Sequence, residues 1–227
     1  MLDRSSSLYS DEVNCGDLRL SNSALLSTKY CTSYDTISLN DESRMEVTTD
    51  PDDYPKYKDT YGMGRAITTE HIEIYGYAEL SVTNYCHQAI YISDNFGDIK
   101  LYDNGKLFVT GNSHSLGIDL DDTAYGTLEL NDNSTVSIEG SYVCIISQAI
   151  NINSGTFICN STEDGAAVII NNRYGDKFDI GININGEIVE QTPSDIEFIP
   201  DGDSEVYDIM VSDGNAVISY KVTVKST

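Results

Sequence analysis

Residues 99–111 read IKLYDNGKLFVTG: two apolar residues two positions apart, a polar turn, then two more. The alternation of apolar and polar side chains places Ile99 and Leu101 on one face of a first strand. It places Leu107 and Val109 on one face of a second strand in the same way. The turn carries Asp, Asn and Gly, which are typical of tight turns. The stretch therefore predicts strand, turn, strand.

The same unit occurs four times along the chain with the same internal spacing. In each copy the third apolar position follows the second by six positions. Successive copies begin roughly 20 to 35 residues apart, a period that is typical of solenoids. The four copies are Ile37/Leu39 with Met45/Val47, Ile72/Ile74 with Leu80/Val82, Ile99/Leu101 with Leu107/Val109, and Leu128/Leu130 with Val136/Ile138.

A third short apolar run follows each of the last three copies, and looser copies flank the array. The runs are residues 89–92, 117–120 and 143–146. The looser copies, with five rather than six positions across the turn, are Leu18/Leu20 with Leu25, and Ile150/Ile152 with Phe157/Cys159. Three strands per repeat are typical of a parallel β-helix, whose coils are stabilised by stacking on their neighbours.

The repeat predicts an all-β parallel β-helix in which equivalent positions form columns along the axis. The predicted inward column consists of Ile37, Ile72, Ile99, Leu128 and Ile150. The predicted outward column consists of Asn40, Tyr75, Tyr102, Asn131 and Asn153. Alternation alone does not fix strand direction, so an antiparallel sandwich is the alternative. A sandwich gives no reason for a repeated internal spacing, and the solenoid is therefore favoured.

These units resemble those of a known family. Residues 99–111, together with GIDL at residues 117–120, are similar to units of bacterial surface proteins with a pectate-lyase-like right-handed parallel β-helix. The resemblance covers residues 15 to 175 or so and implies a right-handed solenoid. Several such proteins bind polysaccharides without cleaving them, so it also implies a non-catalytic polysaccharide-binding module. The motif is a packing motif and specifies fold far better than ligand.

The repeat fades beyond residue 175, where the chain is expected to close the solenoid. Residues 206–211 and 216–224 flank a polar turn and predict a β-hairpin. A solenoid end exposes strand edges and apolar side chains, so the hairpin is predicted to be its cap. The expected organisation is a β-helix of roughly six to seven coils over residues 1–190. Residues 191–227 are then a C-terminal hairpin cap or a small β module.

The chain is strongly acidic. Its 37 Asp and Glu residues against 13 Lys and Arg residues give a formal net charge of −24. This charge repels nucleic-acid phosphates and anionic membranes and argues against both as direct partners. It is compatible with cations, basic protein surfaces and neutral glycans, although solubility alone also explains it. No stretch approaches the ~20 apolar residues of a membrane span, so membrane insertion is not expected.

The cellular location is indicated only indirectly by the sequence. Residues 1–7 lack the apolar core of a signal peptide. The resemblance nevertheless favours an extracellular or cell-surface protein of which this chain is a trimmed piece, with a cytoplasmic protein as the alternative.

The odd number of cysteines, 5, forbids complete internal pairing and favours structural thiols in the solenoid interior. A Cys15–Cys31 bridge is conceivable but has no support from spacing.

An enzyme is the third-ranked function, because pectin-active lyases and hydrolases share this architecture. Hydrolysis of that type needs clustered aspartates beside a histidine and basic residues, and a lyase needs a basic residue near calcium carboxylates. The three histidines, His71, His87 and His114, lack the flanking glycines of the hydrolase motif. No residue is therefore predicted to be catalytic.

Candidate ligand-binding residues lie in the outward column. Tyr75 and Tyr102 occupy equivalent positions of successive coils, so their rings are expected to stack with the strand spacing. Their faces and hydroxyls, with the amides of Asn40 and Asn131, are the groups that sugars contact. A ladder that only stabilises the sheet is the alternative explanation.

Two further candidate sites come from loops. Residues 48–66 form a long insertion that carries Tyr54, Tyr57 and Tyr61. Such long loops often carry function, and the alternative is a surface loop without a functional role.

Calcium is the one cofactor that the composition suggests, because clustered carboxylates offer hard oxygen ligands. The cluster named for it consists of Asp119, Asp121 and Asp122, although no complete calcium loop is present.

The expected function is a non-catalytic surface module that binds polysaccharide on a β-helix face. The alternative is a structural or protein-interaction domain whose acidic face docks a basic partner. The two differ in salt dependence, since an electrostatic partner weakens steeply with ionic strength. The sugar, the partner and the oligomeric state are beyond the sequence.

Overall fold

The computed structural model is a solenoid of short strands. It describes residues 6–52, 64–94, 96–120, 126–147 and 149–162, and the backbone of residues 53, 166–170, 181–184, 187–190, 204–212 and 216–225. Within these ranges the one helix is a 3-10 turn, Pro51–Asp53. The described residues include no helix that is long and apolar enough to cross a membrane.

The strands are short where they form the coils and longer at the two ends. In chain order they are β1 (Ser7–Cys15), β2 (Leu18–Leu20), β3 (Leu25–Ser33), β4 (Thr36–Leu39), β5 (Arg44–Thr48), β6 (Arg65–Thr69), β7 (His71–Ile74), β8 (Glu79–Thr83), β9 (Gln88–Ile92), β10 (Asp98–Leu101), β11 (Lys106–Thr110), β12 (Leu116–Asp119), β13 (Thr127–Leu130), β14 (Thr135–Glu139), β15 (Val143–Ser147), β16 (Ala149–Ile152), β17 (Gly155–Asn160), β18 (Ala166–Ile170), β19 (Gly181–Ile184), β20 (Glu187–Glu190), β21 (Ser204–Ser212) and β22 (Ala216–Lys225).

Two sheets surround the core. The first is 8-stranded, in the order β2-β4-β7-β10-β13-β16-β19-β20, and its pairings are parallel up to β19. The second is 14-stranded and contains the other two strands of every coil, as with β11 and β12. Strands at the same position of successive coils therefore stack side by side. This parallel pairing confirms the β-helix and shows that the antiparallel sandwich is wrong.

The register of the stack follows the sequence repeat. Ile99 pairs with Leu128 on one side and with Ile72 on the other. Ile72 in turn pairs with Ile37, and Leu128 with Ile150. All five side chains are fully buried, which confirms the predicted inward column. One coil cannot bury these residues alone, so the contacts between coils form the core.

The first coil differs from the sequence prediction by one position. Leu26, and not Leu25, pairs with the inward residue Met45 and is fully buried. Leu25 pairs with Arg44 and is half-buried. The first coil therefore keeps the six-position spacing, and the five-position turn that was inferred for it is wrong. A one-residue change of register moves a side chain to the other face of a strand, and this explains the error.

The two ends of the second sheet are joined by long strands. At the amino-terminal end, residues 25–28 of β3 pair with β5, and residues 31–32 pair with β6. At the carboxy-terminal end, residues 216–219 of β22 pair with β17, and Val222 pairs with Val168 of β18. β21 pairs with β22 in an antiparallel hairpin. The predicted C-terminal hairpin is confirmed, and its strand β22 joins the second sheet between β17 and β18.

The turns between the first and second strands of each coil also stack. Their central residue has a left-handed backbone, with φ of 58° at Asn22, 62° at Asp41, 58° at Asp103 and 58° at Asp132. In two of these turns the backbone N–H of the central residue donates to the Asp carboxylate of the next turn: Asn22 to Asp41 at 3.0 Å, and Asp103 to Asp132 at 3.0 Å. Asp tolerates this conformation and supplies the acceptor, which explains its recurrence there.

All five cysteines are free thiols. The conceivable Cys15–Cys31 bridge is absent, because Cys31 pairs with Val13 and Cys15 pairs with Ser33. Burial raises the pKa of Cys31 to about 12. Cys159 lies in the inward column, paired with Ile138, and burial raises its pKa well above the usual range.

Candidate binding face

The outward side of the first sheet is the candidate binding face. The inward and outward residues alternate along β7, β10 and β13, so three outward columns run across the coils. The first column contains His71, Asp98 and Thr127, and the second contains Glu73, Lys100 and Glu129. The third column follows the strands and contains Asn40, Tyr75, Tyr102, Asn131 and Asn153, placed by the backbone bonds that continue the ladder.

The two tyrosines form a parallel stack. Their ring centroids are 4.8 Å apart and their planes differ by 3°. The Tyr102 N–H donates to the Ile74 carbonyl at 2.9 Å, which keeps the two residues in register. This geometry confirms the stacking that the sequence predicts.

The stack also limits what a ligand can contact. The ring faces of Tyr75 and Tyr102 that look at each other are covered, because aromatic rings at this separation are in contact. The outer ring faces look along the column toward its asparagines. The ring edges and hydroxyls are the parts that the pair presents to solvent. The stacked pair therefore forms a ridge of two ring edges on the outward side of the first sheet.

Asparagine amides continue the column beyond Tyr102. Asn153 Nδ2 donates to Asn131 Oδ1 at 2.8 Å, and Asn131 Nδ2 donates to Glu129 Oε1 at 3.1 Å. Asn131 Nδ2 also lies 3.2 Å from the Leu101 carbonyl oxygen. At the other end of the column, Asn40 Nδ2 donates to Ser38 Oγ at 3.1 Å. The amides of Asn131 and Asn153 are thus oriented by the preceding coil, and the amide of Asn40 is oriented by its own strand.

Charged side chains flank the tyrosines. Lys100 lies between Glu73 and Glu129 in the strand register. Its Nζ is 2.5 Å from Asp98 Oδ2, and the other carboxylate oxygen of Asp98 is 3.0 Å from His71 Nδ1. The result is a line of alternating donors and acceptors beside the aromatic ridge.

The surroundings determine the protonation of this face. Burial raises the pKa of Tyr75, with a further contribution from Glu73, and burial followed by Glu129 raises the pKa of Tyr102. The hydrogen bond to Asp98 raises the pKa of Lys100. At neutral pH the face therefore presents protonated tyrosine hydroxyls and a charged lysine.

The other sequence-predicted residues lie elsewhere. Asp119, on β12 of the second sheet, is buried, and its carboxylate accepts a hydrogen bond from Gln88 Nε2. Gln88 Oε1 in turn accepts from Arg65 Nε at 2.7 Å. Asp119 thus belongs to a chain of hydrogen-bonded side chains on the second sheet. Asp121 and Asp122, and the loop tyrosines Tyr54, Tyr57 and Tyr61, lie outside the described residues.

The binding residues predicted from the sequence did not include the charged side chains of this face. Glu73, Lys100 and Glu129 alternate with the inward column, so the aligned copies already place them on the outward side. The His71–Asp98 contact could have been found in the same way, because the two residues stand at equivalent positions of neighbouring copies.

The face combines aromatic edges, hydroxyls, amides and paired charges on a sheet whose inward side chains pack in the core. Such a surface can bind a hydroxyl-rich ligand through many hydrogen bonds. No protein-family model, curated protein or solved structure matches the chain.

Proposed function

We propose that this chain is a non-catalytic binding module that recognises a neutral polysaccharide on the outward side of its first sheet. It would work outside the cell or at the cell surface, as do the pectate-lyase-like surface proteins that its repeat resembles. The observation that carries the proposal is the Tyr75–Tyr102 ridge, with the charged side chains of Lys100 and Asp98 beside it.

The chemistry of the ridge suits sugar hydroxyls. A protonated tyrosine hydroxyl donates and accepts, a lysine donates, and glutamate and asparagine oxygens accept. The edge of an aromatic ring carries partial positive charge and suits the lone pairs of sugar hydroxyl oxygens. A polymer with repeating hydroxyls can contact several coils at once, because the solenoid repeats its outward positions.

The net charge narrows the class of glycan. A chain with a net charge of −24 repels polyuronates and sulfated polymers at long range, whereas neutral polymers are not repelled. The carboxylates on this face add to that repulsion locally. A neutral polysaccharide is therefore favoured over an acidic one.

Affinity electrophoresis of the full chain in gels with neutral or acidic polysaccharides tests the proposal. We expect a neutral polymer to retard the chain, and Tyr75→Ala with Tyr102→Ala to abolish the retardation. Lys100→Ala should weaken it. Tyr77→Ala is the matched control, because Tyr77 is in the same turn as Tyr75 but is 68% exposed and outside the ridge. Unchanged retardation of a folded double variant would place any binding on another surface.

A protein-interaction domain is the second candidate. Large apolar side chains are exposed outside the candidate face, with Tyr34 at 63% and Phe96 at 65%. Together with the acidic charge they suit a basic protein partner. Binding to such a partner should fall steeply between low and physiological salt, whereas binding to a neutral glycan should not.

A further inference from the structure

A second cluster of functional side chains lies at a corner of the solenoid and shares His71 with the candidate binding face. Glu70 and His71 stand at the junction of β6 and β7, and Asp94 follows β9. One potential ligand atom from each of the three residues lies within 4.8 Å of the others. All three residues are half-buried, so an ion has access to them.

The backbone holds the three residues in place. The N–H groups of Glu70 and His71 both donate to the Asp35 carbonyl of the preceding coil, at 3.0 and 3.2 Å. Gly97 N–H donates to the Asp94 carbonyl at 3.1 Å and closes the turn that carries Asp94. A Cβ at Gly97 would come within 2.5 Å of the Glu70 carbonyl oxygen. The close approach of the two segments therefore depends on glycine.

The histidine is oriented by a carboxylate outside the cluster. His71 Nδ1 donates to Asp98 Oδ1 at 3.0 Å, and Lys100 holds the other oxygen of Asp98. Histidines that bind metals usually donate their second ring N–H to a carboxylate in this way, which fixes the ring and its tautomer. Nε2 is then the nitrogen that remains for a metal.

The donor set selects the class of ion. One imidazole nitrogen and two carboxylate oxygens suit zinc and similar divalent transition metals, whereas calcium and magnesium prefer sites made of oxygen alone. Three protein ligands also leave a position open for water or another ligand. We propose that Glu70, His71 and Asp94 form a binding site for a divalent transition-metal ion, with zinc the best fit and Asp98 the residue that positions His71.

The proposal differs from general attraction of cations to an acidic surface. Surface carboxylates bind calcium and zinc weakly and interchangeably, whereas this site depends on an imidazole. The metal site shares His71 with the candidate binding face, but its test uses the metal alone, so the two proposals can fail separately.

Calorimetric titration of the full chain with zinc chloride, at physiological salt and with millimolar magnesium present, is the first test. We expect one tight site per chain. His71→Ala and Asp94→Asn should each weaken zinc binding by roughly a hundredfold or more, and Asp98→Asn by about ten- to a hundredfold. His114→Ala and Asp132→Asn are matched controls outside the cluster and should bind as the wild type does. Cys15→Ser, combined with each variant, removes the half-buried thiol that could also hold zinc.

Two further measurements do not depend on any variant. Cobalt titration should give the visible absorption bands of a low-symmetry site that contains nitrogen. Proton NMR of the three imidazoles should show zinc shifting His71 before His87 or His114. The absence of a stoichiometric site, displacement of zinc by millimolar calcium, or undiminished binding in folded His71→Ala would each overturn the proposal.

Discussion

Tyr75 and Tyr102 stack with their ring centroids 4.8 Å apart, the same distance that separates neighbouring strands of a sheet. The backbone ladder therefore sets the ring separation, and the two rings are held in contact by consecutive coils. The pair contributes to coil stacking in addition to any ligand that it binds, so its effects on stability and on binding have to be measured separately.

The stacking contribution can be measured with a double-mutant cycle. We expect Tyr75→Ala and Tyr102→Ala to be coupled by about 0.5 to 1.5 kcal/mol in the free energy of unfolding, because each variant leaves the other ring without its partner. Urea denaturation of the four proteins gives this value. Tyr77→Ala, in an exposed position, should change stability by less than about 0.5 kcal/mol. Additive effects of the two substitutions would show that the rings do not stabilise each other.

The turn carboxylates give a second prediction. Asp132→Ala should destabilise the fold by about 1 to 2 kcal/mol, because it removes the acceptor of the Asp103 N–H and places alanine at φ 58°. Asp132→Asn should cost less, since asparagine tolerates this backbone and keeps an acceptor oxygen. Urea midpoints of the two variants test the difference. Equal losses in the two variants would mean that neither the backbone conformation nor the acceptor oxygen accounts for the loss.

Gly155, which begins β17 after the shorter turn, gives a third prediction. Gly155 has φ of 97°, and a Cβ there would lie 2.4 Å from the Ser134 carbonyl oxygen of the preceding coil. We expect Gly155→Ala to lower the free energy of unfolding by about 1 to 3 kcal/mol. Gly16→Ala is the matched control, because no atom lies within 4 Å of its added Cβ. A loss of the same size in both variants would contradict a local steric cause.

Thiol labelling gives the fourth prediction and its pH dependence. Burial raises the pKa of Cys15 and raises that of Cys31 to about 12, so at pH 8 only about one Cys31 in ten thousand is a thiolate. Iodoacetamide should label half-buried Cys15 first, about tenfold faster for each pH unit until its raised pKa is reached. Cys31, Cys86, Cys144 and Cys159 should be labelled only after unfolding, as peptide mass spectrometry can show. Rapid native labelling of Cys31 would contradict its burial.

The fold was largely predictable because the same packing problem recurs in each coil. The spacing that links Ile99, Leu101 and Leu107 is repeated, and repetition of one pattern makes register errors visible. The first coil was the exception, since adjacent Leu25 and Leu26 both fit an apolar position. Only pairing with Met45 and Arg44 distinguishes them.

The candidate site was predictable in part. Equivalent positions in aligned copies identified the Tyr75–Tyr102 stack. The covering of their facing rings and the contact of Lys100 with Asp98 depend on side-chain rotamers, which spacing does not specify. The meeting of Asp94 with Glu70 was not predictable, because the connections that carry them, β9 to β10 and β6 to β7, stand at the same place in neighbouring coils but differ in length.

The sequence by itself determined the solenoid, its inward columns and the stacking of equivalent residues, because periodic burial of apolar side chains selects one register. The tertiary structure alone decided which polar groups meet at the corners. There the chain leaves the periodic strands, and the distance between carboxylate and imidazole depends on how irregular turns of neighbouring coils pack against each other.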